Sequence, residues 1–251
     1  MTDVTTVIPT VAAAPALGEF RVGRAFSRTF TLLARNFPIY FTVGALGSVP
    51  PLLIQKAVIP VSDGTEGWLT LAGLLMLVLR PVTQAIMLHV AFQDIGGRPV
   101  SLTEAARVGL GRLLPLIGLS ICTGLAFGVG LLLFIVPGLI LLTMWYVASA
   151  ACIVERLGVF TSMERSSVLT KGHRWAIFGT WLLLIISGAI LAPAVDAVAG
   201  LTGNAGLITA ASLAWSAMTT AFGMVFGGVV YYELRVAKEG IDIRQIAAVF
   251  E

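Results

Sequence analysis

Residues 113–154 read LLPLIGLSICTGLAFGVGLLLFIVPGLILLTMWYVASAACIV, 42 positions without one charged side chain. As a single helix this stretch would be about 63 Å long at ~1.5 Å per residue. That is twice the ~30 Å hydrocarbon core of a bilayer. Val136-Pro137-Gly138 supplies a break, because proline removes a backbone donor and glycine permits a tight turn. The stretch therefore predicts a helical hairpin of two spans, Leu113–Leu133 and Gly138–Val154. A membrane barrel would instead show alternating apolar and polar positions in ten-residue segments.

The rest of the chain has the same character. Of its 251 residues 57% are hydrophobic and 12% charged, against a globular norm of roughly 25% charged. Mean hydropathy is +0.95. So little charge cannot cover the surface of an ordinary cytosolic enzyme, a nucleic-acid-binding domain or a disordered regulator. Four more apolar stretches suit membrane spans: Phe37–Ile54, Trp68–Phe92, Trp175–Val195 and Gly206–Tyr232. The expected fold is all-α, a polytopic integral membrane protein with six transmembrane helices. One membrane domain would cover 19–245, between a mobile tail over 1–18 and a short tail over 246–251. The N-terminal stretch lacks the basic and apolar regions of a cleavable signal peptide.

Fourteen of the sixteen lysines and arginines fall in the N-terminal segment, two alternate loops and the C-terminal tail. Only Lys56 lies on the opposite side, and Arg80 lies within a span. The bias of cations toward the cytoplasm then places both termini there, in the inner membrane of a bacterium. Segments preceding the odd-numbered spans suit interfacial amphipathic helices. In the first, Arg21, Arg24, Arg28, Thr31 and Arg35 share one arc, opposite Val22, Phe26, Phe30 and Leu33. The second opens on Ser101-Leu-Thr-Glu104, a capping-box pattern, and the third covers roughly Val159 to Lys171. Interfacial helix, span, turn, span would then recur three times, from near residues 20, 101 and 159. The competing reading is that amphipathic connectors are simply common in such proteins.

Arg80 is the foremost candidate site residue. A charge near mid-bilayer is costly and usually faces a partner or a wet cavity. Gln84 follows one turn later, and no carboxylate lies within any span. Two readings compete: a contact with an anion or lipid phosphate, or an arginine capping carbonyls that Pro81 releases. Arg21, Arg24, Arg28, Arg35, Lys171 and Arg174 are candidate headgroup-facing cations. Glu155 stands where Arg156 or Arg165 could pair with it. Gly124/Gly128 and Gly223/Gly227 have the small-xxx-small spacing of close helix packing. Cys122 and Cys152 read as inert packing residues. With two distant histidines, no metal ligand set can be assembled, and no cofactor or catalytic constellation is expected. His89 reads as hydrogen-bonded or interfacial. The expected partners are membrane phospholipids, with a protein partner or a second copy of the chain as further candidates, and no nucleic acid.

Three stretches carry a family resemblance: Val136-Pro137-Gly138, Trp145 to Gly158 continuing through Met163–Trp175, and Tyr231-Tyr232-Glu-Leu-Arg235-Val-Ala-Lys-Glu239-Gly240-Ile-Asp242. They resemble the bacterial membrane-protein family called the glycerophosphoryl diester phosphodiesterase membrane domain, over about residues 20–245. In fused members of that family, hydrolysis belongs to an attached soluble barrel of about 250 residues, and these residues contain no such barrel. The resemblance thus implies a stand-alone inner-membrane protein near phospholipids or their breakdown products. The function expected is non-catalytic: lipid interaction, or scaffolding of a membrane complex. The alternative is a transporter or channel for a lipid or small anionic solute.

Overall fold

A computed structural model describes the backbone of residues 20–58 and 66–240, and their side chains except 49, 51–58 and 66–74. The tails expected over 1–18 and 246–251 lie outside the described residues. The chain is helical throughout, with no strand among the described residues. Ten helices follow in order: α1 Val22–Arg35, α2 Phe37–Val58, α3 Glu66–Ile95, α4 Leu102–Gly111, α5 Leu113–Leu133, α6 Ile135–Met144, α7 Ala148–Val154, α8 Val159–Thr170, α9 Arg174–Gly200 and α10 Ala205–Glu239.

Five segments are long and apolar enough to cross a membrane: Leu75–Ile95, Leu113–Leu133, Ile135–Val154, Arg174–Gly200 and Ala205–Glu239. The protein is membrane-embedded. The span expected over Phe37–Ile54 falls in the 22-residue α2, whose described apolar part is Phe37–Ser48. α9 illustrates the solvent these helices are built for. Its most apolar window has none of its residues buried within the protein (0%), and Leu183, Ile186 and Ile190 point outward. Apolar side chains stay outside only where the surroundings are as apolar as they are.

The hairpin expected from 113–154 is present, although the chain turns earlier than the proline. Phe134 is extended (φ −161°, ψ 145°) and separates α5 from α6. Pro137 sits in the first turn of α6, where its missing N–H costs nothing. The hairpin closes through two glycines: a β-carbon added to Gly130 would lie 2.9 Å from the Gly138 α-carbon.

The expected fourth span, Gly138–Val154, needs correction. The helix starts at Ile135 and is interrupted, because Trp145, Tyr146 and Val147 form a turn between α6 and α7. The Ala148 N–H reaches back three residues to the Trp145 carbonyl, the 3₁₀ pattern, at 3.1 Å. That leaves the Met144 carbonyl without its usual helical donor. Two hydroxyls of α8 replace it, Ser166 at 2.8 Å and Thr170 at 3.2 Å. A break inside a membrane persists only where such groups satisfy the freed backbone.

α10 is the central helix and packs most extensively against α2, then against α9 and α1. Close approach to α2 depends on Gly44, where an added β-carbon would collide with the Ala217 carbonyl. Gly228 of α10 similarly receives the Leu88 side chain of α3, 2.8 Å from where a β-carbon would be. Gly124, Gly128, Gly223 and Gly227 make no such approach, since nothing lies within 4 Å of a β-carbon at any of them. Their expected role in close helix packing is therefore not what this bundle uses. α10 ends where Gly240 adopts the left-handed conformation (φ 63°) and its N–H caps the Val236 carbonyl.

Candidate functional site

Five arginines meet carboxylates at one end of the bundle, where α1, α8 and the C-terminal ends of α3, α7 and α10 converge. Glu155 caps α7 and receives both oxygens' worth of contact from the Arg165 Nε, at 2.8 Å each. The Tyr231 hydroxyl donates to the same carboxylate at 2.7 Å, and Arg235 lies 3.8 Å away. Glu239 closes the ring, paired with Arg235 at 3.0 Å and with Arg165. Two carboxylates thus balance two guanidinium groups across α7, α8 and α10. Burial works against the Arg165 cation, but Glu155 and Glu239 outweigh it and hold its pKa above the ordinary guanidinium value.

Two further pairs dock α1. Arg28 donates to Glu233 at 2.6 Å and lies over the Tyr232 ring, 4.8 Å from its centre. Arg24 is 3.7 Å from the same carboxylate. Arg35 is 3.5 Å from Asp94, which also accepts from the Tyr40 hydroxyl at 3.2 Å. Glu233 and Asp94 are both 3% exposed, so each requires a counter-charge. The aromatic side of α1 packs on α10, with the Phe26 ring tilted against Phe226 at 4.9 Å and Phe30 against Phe222 at 5.2 Å. Three of the six cations assigned to headgroups therefore reach carboxylates within the protein. Arg21 and Lys171 are exposed, and Arg174 is half-buried.

The second polar region is a cavity of about 880 Å³ within the bundle, walled by α2, α3, α5, α6, α9, α10 and the α6–α7 turn. It contains both residues that sequence reasoning singled out, Arg80 and Gln84. Arg80 stands midway along the 30 residues of α3. It makes no ion pair or hydrogen bond among the described residues. In particular, it does not bond the Leu77 carbonyl that Pro81 leaves without a donor. Gln84 is committed elsewhere, donating to the Ser149 hydroxyl at 2.8 Å. Among the described residues no carboxylate lines the cavity, and Arg80 carries the single formal charge of its wall.

The remaining lining combines hydroxyls with aromatic rings. Thr123 and Thr219 donate to backbone carbonyls of their own helices, at 2.7 and 3.0 Å. Their oxygens therefore offer only lone pairs to the cavity. Ser120, Ser216 and Thr220 donate to nothing among the described residues and keep a free O–H. Trp145 and Tyr146, from the helix break, share the wall with Trp181 and Phe127. Gly124 and Gly223 also line it, and their missing side chains leave the space open.

Other candidates lie apart. His89 is buried outside the cavity lining, 3.9 Å from Glu104. Ser101 accepts from the Glu104 N–H at 3.4 Å, half of the expected capping box, while the Glu104 carboxylate turns to Gln93 at 2.9 Å. Cys122 and Cys152 are both unpaired thiols, the latter buried. Among the described residues no group of three His, Cys, Asp or Glu could hold a metal ion. No family model matches the chain, and no solved structure matches it.

Sequence reasoning placed Arg80 but missed most of its setting. The Met144–Ala148 break carries no proline or glycine, and its only signature is the Ser166/Thr170 pair one turn apart on α8. Glu233 and Asp94 went unnoticed because both lie just past the apolar stretches, where a carboxylate ordinarily meets water.

Proposed function

We propose that this is a non-catalytic protein of the bacterial inner membrane that binds an anionic lipid or small anionic solute in the cavity at Arg80. The observation that carries this reading is the exposed Arg80 guanidinium, unmatched among the described residues, in a roomy half-open cavity that no described carboxylate lines. A cation inside a membrane protein is costly unless it is paired or hydrated. Retaining one opposite free hydroxyls is what anion recognition requires. The cavity's size lies within the ~300–1,000 Å³ range of small-molecule sites. The resemblance of the Trp145–Trp175 and Tyr231–Asp242 stretches to the phosphodiesterase membrane family fits a role near phospholipids.

In this reading α2 completes a set of six spans, and α1, α4 and α8 each lead a pair of spans, giving a three-fold recurrence of one unit. Both termini face the cytoplasm, following the distribution of the cations. Lys171 then remains to meet anionic headgroups. A second reading, transport, is favoured by one feature. The α6–α7 break lies in the cavity wall, where interrupted helices in transporters flank their substrates.

Native mass spectrometry of protein extracted from its own membrane tests the binding role. The wild type is expected to retain anionic lipid or solute, and Arg80→Gln to lose it. Equal retention by both would remove the cavity from the account. Flux into liposomes of an anion that binds would promote transport over binding alone.

A further inference from the structure

We infer that the cavity selects an amphiphile with a single negative charge, a phosphodiester or carboxylate head on an apolar tail. This deepens the proposed function and rests on it. Three observations carry it.

The first is charge balance. Among the described residues Arg80 is the one formal charge on the cavity wall, and no described lysine, histidine or further arginine lines it. A monoanion neutralises that charge. A dianion would leave one negative charge uncompensated among apolar helices, where an unpaired ion is heavily penalised. Phosphate monoesters carry close to two charges at neutral pH and above. Phosphodiesters and carboxylates carry one.

The second is the set of donors. Ser216 and Thr220 are one turn apart on α10, and Ser120 is on α5. All three line the cavity with hydroxyls that donate to nothing else among the described residues. With the guanidinium they supply enough donors for the two non-bridging oxygens of a phosphodiester or for a carboxylate. They add no charge.

The third is the remainder of the space. A phosphate-sized ion would leave most of about 880 Å³ empty. Much of the remaining lining is apolar and aromatic, with Phe127, Leu141, Trp145, Leu184 and Trp181. Such a wall fits a hydrocarbon tail, and an inorganic anion would leave it wet.

The test uses three probes that share one tail: dodecyl phosphate, its methyl ester and laurate. Each is titrated calorimetrically at pH 8 into the full-length protein in nanodiscs of uncharged phosphatidylcholine. The first is a dianion there and the other two are monoanions. Methyl dodecyl phosphate, laurate or both should bind about tenfold tighter than dodecyl phosphate. Which of the two wins distinguishes a phospholipid source from a free fatty acid. Arg80→Lys should keep the preference and Arg80→Gln should abolish it. Ser216→Lys, which adds a second cation to the wall, should shift the preference toward the dianion. That variant serves as a check if Arg80→Gln does not fold. Dodecyl phosphate binding as tightly as the monoanions would overturn the selectivity and leave the anion site standing. No probe binding the wild type better than dodecanol would end both the selectivity and the proposed function.

Discussion

At one end of the bundle Arg28, Arg35, Arg165 and Arg235 each meet a carboxylate. Midway along α3, Arg80 meets none among the described residues. The two regions use the same side chain for different ends. Where guanidinium groups alternate with Glu155, Glu239, Glu233 and Asp94, the charges cancel internally and fasten α1 and α8 to the long helices. Where the guanidinium stands alone, its charge is left for something that enters the cavity. The contrast predicts that substitutions in the first region change stability and that substitution of Arg80 changes binding.

Glu155→Ala should show the largest effect. It leaves Arg165 and Arg235 to share Glu239 alone and removes the acceptor of Tyr231, a loss of about 2–4 kcal/mol for a partly buried network. Thermal unfolding in detergent measures it, and an unchanged midpoint would mean the ring of charges holds nothing together. Gly44→Val should follow, at about 1–3 kcal/mol, because the new side chain drives into the Ala217 carbonyl and separates α2 from α10. Substituting Gly124 in the same way should cost far less, since open space surrounds it. Comparing the two variants tests whether the cavity and the close contact are where the structure has them.

Ser166→Ala with Thr170→Ala should be intermediate, about 1–3 kcal/mol, because the Met144 carbonyl loses both of its donors. Its distinguishing readout is faster hydrogen exchange confined to 144–148. Exchange that stays unchanged there would detach α8 from the break.

The smallest expected effect is a pH dependence at His173. Burial, and then the Lys238 charge, lower its pKa below the ordinary 6.5. The unfolded chain therefore takes up that proton at a higher pH than the folded one. The contribution of neutral His173 is complete above pH 6.5 and declines as the pH falls below it. His173→Gln should flatten stability profiles between pH 7.5 and 5.5, and an unaltered slope would assign the dependence to the carboxylates alone.

The spans were legible because apolar runs of about 20 residues have few other uses. Leu113–Leu133 has the same bounds in sequence and structure. Arg80 was legible for the complementary reason, as a lone charge inside such a run. What stayed hidden depends on contacts between distant residues. The break at Trp145 is stabilised from α8, twenty-two and twenty-six positions along the chain. The basic arc of α1 was readable as amphipathic, but whether it faces headgroups or Glu233 is decided by α10, 205 residues away. Small-xxx-small spacing also misled, because the same glycines that admit a neighbouring helix can leave a void. The glycine at the closest approach, Gly44, has Ser48 four residues on and faces Ala217 and Ala221 of α10, small residues at the same spacing that the sequence reading did not single out.

The most direct test of the central claim is the unfolding of wild type and Arg80→Gln with and without methyl dodecyl phosphate. Without ligand the two should unfold within about 0.5 kcal/mol of each other, as a substitution outside any internal bond does. With ligand at a hundred times its Kd, the wild type should gain about 2.7 kcal/mol and Arg80→Gln essentially nothing. Equal gains, or a ligand-free loss in Arg80→Gln as large as that of Glu155→Ala, would contradict the claim and make Arg80 a structural residue.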